Sequence, residues 1–265
     1  MTASATGAID KHAPGEFCWA ELGTTNQKAA EAFYGALFGW SFENADSTYA
    51  TVKVNGLEAG ALYQLPEEQQ KQGVKPHWML YFSVQDADES SRKATELGGS
   101  ALMGPLDVMD YGRMALIRDP QGAVFGLWQP KQHIGTRIAN VPGTMSWPEL
   151  VTTDTASAKK FYRGLLKWGE KTSMGGPADA PLEYTEWQLG GRSIGGMIKI
   201  AKEWGDVPPH WMPYFLVSDC KATAAKSFEL GARVRVPPTP IPDVGEFAII
   251  QDLQGAVFSI IQLSH

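Results

Sequence analysis

The chain has 265 residues, of which 43% are hydrophobic and 20% are charged, and its net charge is −6. The length is enough for two ordinary domains, and the composition is that of a globular protein. Because there is no basic cluster, and no apolar run near the ~20 residues that span a bilayer, we expect neither nucleic acid nor a membrane as a partner.

The N-terminal residues 1–14 are small and polar and contain no apolar signal core. They predict a flexible tail. The chain has two cysteines, which make no disulfide framework and show no metal-ligand spacing, so a cytoplasmic location is expected. The oligomeric state stays open between a monomer and a homodimer.

Strand and helix patterns alternate along the first half of the chain. A strand at 17–23 precedes a helix at 26–38, with Asn26 as its N-cap and Gly39 just past its end. Asn55-Gly56 predicts a hairpin between the next two strands. The remaining predicted elements are strands at 49–54, 59–65 and 77–84, a helix at 87–97, and strands at 101–104, 113–118 and 123–128. A strand, a helix and three strands thus occur twice in this half and four times in the chain.

Four short motifs recur in the same order in the second half of the chain. They are Trp19-Ala20-Glu21-Leu22 with Trp147-Pro148-Glu149-Leu150, Phe33-Tyr34 with Phe161-Tyr162, Pro76-His77-Trp78-Met79 with Pro209-His210-Trp211-Met212, and Gln121-Gly122-Ala123-Val124-Phe125 with Gln254-Gly255-Ala256-Val257-Phe258. The spacing rises from 128 (147 − 19) to 133 (210 − 77), so five extra residues enter copy 2, which we expect in a loop at 175–179. The repeat predicts one domain at 15–130, a linker at 131–144 and a second domain at 145–263.

Two further patterns connect both copies to a known group of proteins. An Asn or Asp precedes Phe-Tyr by seven residues, at Asn26 and Asp154, and each copy closes with an Asp-x-Gln-Gly turn, at 119–122 and 252–255. Together with the strand and helix layout, these residues resemble the vicinal oxygen chelate superfamily, which includes glyoxalase I, extradiol dioxygenases and bleomycin-resistance proteins. Over nearly the whole chain, the similarity is strongest to tandem glyoxalase-like proteins of the mycobacterial culture-filtrate antigen type.

The resemblance implies an α+β fold in which four βαβββ units form two curved mixed β-sheets with the helices outside. Each cup-shaped sheet of this family holds a small ligand and usually a divalent metal, bound by one inward residue from each of four strands. The pattern places these positions at Trp19, near Ala61, Met79 and Gly126, and in copy 2 at Trp147, near Met197, Met212 and Ser259. Because indole has no free lone pair and a thioether is a poor ligand for such metals, we expect neither a metal nor another cofactor.

Strand alternation predicts the lining of each cup, because side chains two residues apart share a face. The predicted ligand-binding residues are Trp19, Met79, Tyr81, Trp128, Trp147, Met212, Tyr214 and Ser259. The predicted catalytic residues are Glu21, His77, Glu149 and His210, each two residues from a family ligand position. Three interpretations of the Glu and His side chains stay open: an acid–base pair, a relocated metal site, or a structural role in a buried ion pair or in bonds to backbone.

We therefore expect a protein that binds a small, largely apolar or aromatic molecule in metal-free cups, either to sequester it or to catalyse a metal-independent reaction. An alternative is a metal-dependent lyase or dioxygenase that uses the displaced Glu and His side chains. A third hypothesis is an interaction protein whose cups are filled by their own side chains. The sequence leaves open whether the protein is an enzyme, and whether each cup forms within one copy or between the two.

Overall fold

The computed structural model describes residues 7–44, 48–175 and 182–264. The elements of copy 1 are β1 (Phe17–Thr24), α1 (Gln27–Phe38), β2 (Ser41–Asn44), β3 (Tyr49–Val54), β4 (Leu57–Gln64), α2 (Glu67–Lys71), β5 (His77–Ser83), α3 (Ala87–Glu96), β6 (Ser100–Val108), β7 (Gly112–Arg118) and β8 (Val124–Pro130). Those of copy 2 are β9 (Met145–Thr152), α4 (Thr155–Leu166), β10 (Gly169–Gly175), β11 (Leu182–Leu189), β12 (Arg192–Lys199), a 3₁₀ turn (Lys202–Trp204), β13 (His210–Leu216), α5 (Cys220–Glu229), β14 (Arg233–Ile241), β15 (Gly245–Gln251) and β16 (Val257–Leu263). No helix in these ranges is both long and apolar enough to cross a membrane.

Local signals in the sequence explain where α1 and the first hairpin begin and end. The Asn26 side chain accepts a hydrogen bond from the backbone N–H of Ala29 at 3.1 Å, which caps the helix. Gly39 follows α1 with φ of 73°, a left-handed conformation that favours glycine. Asn55 and Gly56 both have positive φ and join β3 to β4. The predicted helix start, helix end and hairpin are confirmed.

Each copy folds into its own eight-stranded sheet. The strand order is β2-β3-β4-β1-β5-β8-β7-β6 in copy 1 and β10-β11-β12-β9-β13-β16-β15-β14 in copy 2. In copy 1, the parallel pairs β1 with β4 and β5 with β8 flank a central antiparallel pair, β1 with β5. The predicted α+β class, with four βαβββ units and two mixed sheets, is confirmed. Since each sheet contains strands of one copy alone, each sheet face also belongs to one copy.

The two sheets share one hydrophobic core that contains residues of both copies. The ring centroids of Tyr34 and Phe258 lie 5.4 Å apart across the boundary between the copies. Those of Phe82 and Trp211 lie 4.9 Å apart. Ring contacts at these distances add attraction beyond the burial of apolar area, so the copies stabilise each other.

Two tryptophans that follow helices, Trp40 and Trp168, lie in this core. Trp40 donates its indole N–H to the carbonyl of Gly143 at 2.7 Å, and Trp168 donates to the carbonyl of Gly15 at 2.8 Å. Each indole is buried and finds its partner near the start of the other copy, so its N–H is not left unsatisfied.

The Phe-Tyr motif of each copy binds the Asp-x-Gln-Gly turn of the other copy. The Tyr34 hydroxyl donates to Asp252 Oδ2, and the Tyr162 hydroxyl donates to Asp119 Oδ2, both at 3.0 Å. Asp119 Oδ1 also accepts the backbone N–H groups of residues 121–123 at 2.8–2.9 Å, and Asp252 does the same in its own turn. The two motifs that carry the family resemblance therefore form a reciprocal clamp between the copies.

The N-terminal segment pairs with the linker. Residues 1–6 lie outside the described residues, but from Gly7 onward the segment predicted as a flexible tail makes backbone bonds. Ala8 and Ile138 form an isolated β-bridge, and the N–H of Ile9 donates to the carbonyl of Arg137 at 2.9 Å. Between residues 7 and 14 the chain is therefore held against the linker. The loop expected at 175–179 in copy 2 lies, after Gly175, outside the described residues.

Candidate functional site

Each sheet has one face against the shared core and an opposite face, which we call the cup face. In β5, Leu80 belongs to the shared core, whereas its neighbours Met79 and Tyr81 belong to a separate cluster with Trp19 and Trp128. This alternation is the two-residue period of a strand. We define cup 1 by Trp19, Glu21, Met79, Tyr81 and Trp128, and cup 2 by Trp147, Glu149, Met212, Tyr214 and Ser259. The predicted ligand-binding residues of each copy thus lie together on one cup face.

In cup 1, two tyrosine hydroxyls donate to the Glu21 carboxylate. Tyr81 lies on β5, and its hydroxyl is 2.5 Å from Glu21 Oε1. Tyr49 lies on β3, and its hydroxyl is 3.4 Å from Glu21 Oε2. Glu21 sits directly opposite Met79 in the β1–β5 register, so the carboxylate is at the centre of the cup face.

Cup 2 contains the same arrangement with shorter bonds to the second tyrosine. The hydroxyls of Tyr214 and Tyr184 donate to the two oxygens of Glu149, each at 2.8 Å. Trp147 in turn donates its indole N–H to the Tyr184 hydroxyl at 2.8 Å. Each cup is therefore built around one carboxylate that accepts two phenols.

Sequence reasoning identified Glu21, Glu149, Tyr81 and Tyr214 but not the second tyrosine of each cup. Tyr49 and Tyr184 belong to strands that neither neighbour β1 or β9 nor carry a family metal position. Alternation shows which residues of a strand share a face, but it does not show which face is the cup face. The pairing of β3 with β4, and of β11 with β12, decides that. The register of those hairpins supplies the missing signal.

Burial governs the protonation of both clusters. Desolvation raises the pKa of Glu21 and of Glu149, while the tyrosine hydrogen bonds act in the opposite direction. Burial, together with the negative charge of the neighbouring glutamate, raises the pKa of Tyr81 and of Tyr214 well above the usual range. The phenols therefore keep their protons, and the glutamate is the group in each cup that can gain or lose one.

The predicted histidines lie at the outer end of the cup face and bond to backbone. Nδ1 of His77 is 2.8 Å from the carbonyl oxygen of Lys75, and Nδ1 of His210 is 2.8 Å from that of Pro208. Because a carbonyl only accepts, Nδ1 carries the proton and Nε2 carries a lone pair in the neutral ring. Burial lowers the pKa of His210, which favours that neutral form. The glutamate of each cup is hydrogen-bonded to tyrosines and not to its histidine, so the structure does not form the Glu–His pair.

The residues at the family's metal positions do not fit a divalent metal. The register places Ala61 opposite Glu21, and Gly196, the neighbour of Met197, opposite Glu149. Alanine and glycine provide no ligand atom, and the indoles and thioethers on the neighbouring strands provide no suitable one. No three His, Cys, Asp or Glu side chains in the described part of the chain are grouped to hold a metal ion.

In cup 1, a tyrosine ring fills the space of a family metal ligand. A Cβ added to Gly126 would lie 2.0 Å from a ring carbon of Tyr81, so the ring rests directly on the glycine. Any side chain at this position of β8 would displace the ring that donates to Glu21. The glutamate–tyrosine cluster thus occupies the region of the cup where the family pattern places its ligand residues.

Replacing Glu149 with glutamine is expected to change how stability depends on pH. Because burial raises the pKa of Glu149 above its usual value of 4.5, the folded state holds this proton more tightly than the unfolded state. The free energy of unfolding of the wild type should therefore fall, relative to that of Glu149→Gln, as the pH rises from 4.5 through the raised pKa. Below and above that pH range, the difference between the two proteins should be constant. Urea denaturation of both proteins from about pH 4 to about pH 8 measures it. A wild-type advantage that grows with pH would contradict the buried carboxylate.

Comparison with known proteins identifies similar sequences over nearly the whole chain. A family profile described as a glyoxalase-like domain matches residues 19–128. The chain is 36% identical over 249 residues to the putative glyoxylase CFP32 of Mycobacterium tuberculosis (strain CDC 1551 / Oshkosh), which covers 92% of this chain and 93% of that protein. It is 33% identical over 272 residues to the anthracycline biosynthesis protein DauV of Streptomyces sp. (strain C5), which covers 96% of both chains.

Solved structures share the fold at low sequence identity. The Mn(II)-bound glyoxalase from Novosphingobium aromaticivorans superposes with a TM-score of 0.66 at 14% identity, over 94% of this chain and 82% of that one. The 2,3-dioxygenase LapB from Pseudomonas sp. KL28 superposes with a TM-score of 0.64 at 12% identity, over 99% of this chain and 94% of that one. At such identities the likeness establishes the fold and leaves the chemistry to the residues of the cups.

Proposed function

The chain belongs to the glyoxalase-like family of the vicinal oxygen chelate superfamily, and on that basis we propose that it binds a planar, oxygenated aromatic molecule in a metal-free cup. One observation carries the proposal. A carboxylate held by two tyrosine hydroxyls lies within an aromatic and methionine lining, at matching places in both copies. The family's metal ligands are replaced by residues that suit an organic molecule.

The lining favours a flat and largely apolar ligand. Trp19, Tyr81 and Trp128 present their rings in cup 1, and Trp147 and Tyr214 present theirs in cup 2. Aromatic rings bind other aromatic rings by stacking and edge contacts, and methionine adapts its shape to a ligand. The name of the Streptomyces relative, an anthracycline biosynthesis protein, supports this ligand class, since anthracyclines are fused aromatic rings that carry hydroxyl and carbonyl groups.

The glutamate supplies the polar group that orients the ligand. A carboxylate has about four acceptor sites, of which the two tyrosines use two, so Glu21 or Glu149 retains sites for a ligand hydroxyl. Because burial raises the pKa of both glutamates, each is suited to accept a proton from that hydroxyl as a general base. We assign the Nε2 lone pairs of His77 and His210 a secondary role as acceptors at the outer end of the same faces.

Titration with 2,6-dihydroxyanthraquinone tests the proposal. This probe is planar and carries hydroxyls that are not adjacent to its carbonyls, so it does not chelate metals. We expect saturable quenching of tryptophan fluorescence. The double variant Glu21→Gln/Glu149→Gln should bind at least about tenfold more weakly, because it loses a charge-assisted hydrogen bond worth about 1.5–3 kcal/mol.

The matched control is Glu96→Gln, because Glu96 pairs with Lys93 on the exposed surface of α3. Its affinity for the probe should equal that of the wild type. The proposal fails if quenching does not saturate, or if the double variant and Glu96→Gln bind the probe equally well.

A further inference from the structure

The two cups differ in what covers their aromatic lining. In cup 1, the ring of His133, a linker residue, lies edge-on to Trp19, with the ring centroids 4.6 Å apart. The carbonyl of His133 accepts the indole N–H of Trp128 at 2.9 Å. These contacts leave Trp19 buried, whereas the equivalent Trp147 in cup 2 keeps part of its surface exposed.

Backbone bonds fasten the linker across the strands of cup 1. The N–H of Thr136 donates to the carbonyl of Cys18 on β1, and the N–H of Arg137 donates to the carbonyl of Glu58 on β4, both at 2.7 Å. Gly135 passes so close that a Cβ there would lie 2.2 Å from the Cys18 carbonyl oxygen. The linker is therefore an integral part of cup 1, and a ligand would have to displace it to reach Trp19 from this side.

The polar groups of cup 1 are also satisfied from within. The Tyr81 ring rests on Gly126 and its hydroxyl donates to Glu21. Among the described residues, no buried polar side-chain atom of cup 1 lacks a hydrogen-bond partner. Cup 1 therefore has no unpaired buried hydroxyl that a ligand oxygen would satisfy.

Cup 2 contains one buried hydroxyl that the protein leaves without a well-formed hydrogen bond. Ser259 occupies the position that Gly126 has in cup 1 and lies opposite Tyr214 in the β13–β16 register. Its side chain is 0% exposed, and its Oγ lies beside the Tyr214 hydroxyl without forming a well-aligned hydrogen bond to any described residue. The neighbouring Val257 and Ile261 belong to the cup cluster, whereas Phe258 and Ile260 belong to the shared core, so Ser259 lies on the cup face. Leaving a buried hydroxyl unpaired is costly unless a ligand or water pairs with it.

We propose that only cup 2 takes the ligand and that the Ser259 hydroxyl hydrogen-bonds to a carbonyl or hydroxyl oxygen of it. The inference rests on the proposed function and assigns that function to one of two related cups. Glu149 and Ser259 lie on neighbouring parts of the same face, so they recognise an aromatic ligand with two oxygen atoms. Cup 1 instead serves as the anchor of the linker.

Calorimetric titration of the full chain with 2,6-dihydroxyanthraquinone tests the assignment. We expect one molecule of probe per chain. Ser259→Ala should weaken binding about tenfold, since it removes one buried hydrogen bond to the probe. The same substitution should leave the thermal midpoint of the ligand-free protein unchanged or higher, because it removes a buried hydroxyl that makes no well-formed hydrogen bond. A serine with a purely structural role would show the opposite pattern, with lower stability and unchanged binding.

Ser227→Ala is the matched control. Ser227 is equally buried, but its hydroxyl donates to the carbonyl of Ala224 within α5. Its replacement should lower the thermal midpoint and leave the affinity for the probe unchanged. The assignment to cup 2 fails if two equivalent probe molecules bind per chain. It also fails if one molecule binds and Ser259→Ala does not change its affinity, and in both cases the proposed function stands. Absence of any saturable binding would overturn both.

Discussion

Replacing Asp119 with alanine is expected to lower the free energy of unfolding by about 3–5 kcal/mol. Asp119 is buried, and its carboxylate accepts three backbone N–H groups of its own turn and the hydroxyl of Tyr162 from the other copy. Alanine removes the carboxylate from all four donors, of which only the N–H of Gly122 keeps a second acceptor, the backbone carbonyl of residue 119 at 3.1 Å. Since the hydroxyl of Tyr162 also accepts the indole N–H of Trp211 at 3.0 Å, the loss extends into the shared core. Urea denaturation followed by tryptophan fluorescence measures the change.

Asp119→Asn is the control for this substitution. Its amide oxygen can still accept the backbone N–H groups, and its amide N–H can donate to the Tyr162 hydroxyl, so the cost should be about half or less. Asp252→Ala should reproduce the effect of Asp119→Ala, because Asp252 makes the equivalent bonds to its turn and to Tyr34. A loss below about 1 kcal/mol for Asp119→Ala would mean that the clamp contributes no more than an ordinary surface turn.

Replacing Gly126 with alanine is expected to cost about 2–3 kcal/mol and to break the Tyr81 bond to Glu21. The added Cβ would lie 2.0 Å from the Tyr81 ring, which is too short for a contact between non-bonded carbon atoms. The ring must move away, and its hydroxyl then loses the Glu21 carboxylate. Urea denaturation gives the stability, and near-ultraviolet circular dichroism reports the changed environment of the tyrosine.

The reverse change at the equivalent position of cup 2 is the control. Ser259→Gly removes a side chain where the protein already accommodates one, so its cost should be about 0.5–1 kcal/mol, the entropic cost of a glycine. Equal losses for the two substitutions would mean that the Tyr81 ring does not depend on the glycine beneath it.

The repeat explains how much of the fold was predictable from the sequence. Motifs such as Trp19-Ala20-Glu21-Leu22 and its copy in the second half marked the strands, and Asn26 and Gly39 marked the ends of α1. These signals are local, since a cap or a two-residue alternation depends on residues within one turn or one strand. The family resemblance then indicated that the strands form two curved mixed sheets with the helices outside.

The site was predicted less completely, because its contacts join residues that are distant in the sequence. Glu21 was identified by alternation along β1, but its partner Tyr49 depends on the register of two other strands. The histidine at position 77 was placed on the correct face, yet its Nδ1 bonds to a carbonyl two residues away, which the strand pattern does not reveal. The clamp between Tyr162 and Asp119 crosses the copies, and a repeat alone does not indicate which copy supplies each partner.

The difference between the cups also arises outside the repeat. The linker residue His133 covers Trp19, and a linker has no second copy with which to compare it. The exchange of Gly126 for Ser259 is one of four differences between the seven-residue strands β8 and β16, and the sequence does not mark it out from the other three. Its consequence depends on the position of the Tyr81 ring, which lies over the glycine.

Calorimetric titration of 2,6-dihydroxyanthraquinone into protein dialysed against EDTA is the most direct measurement of whether the cups bind an aromatic molecule without a metal. Elemental analysis of the same sample establishes its metal content. We expect the affinity after dialysis to equal that of the untreated protein, and added Mn²⁺, Fe²⁺, Ni²⁺ or Zn²⁺ to leave it unchanged. Loss of binding on dialysis, with recovery on addition of one of these ions, would contradict the account and show that a metal holds the ligand.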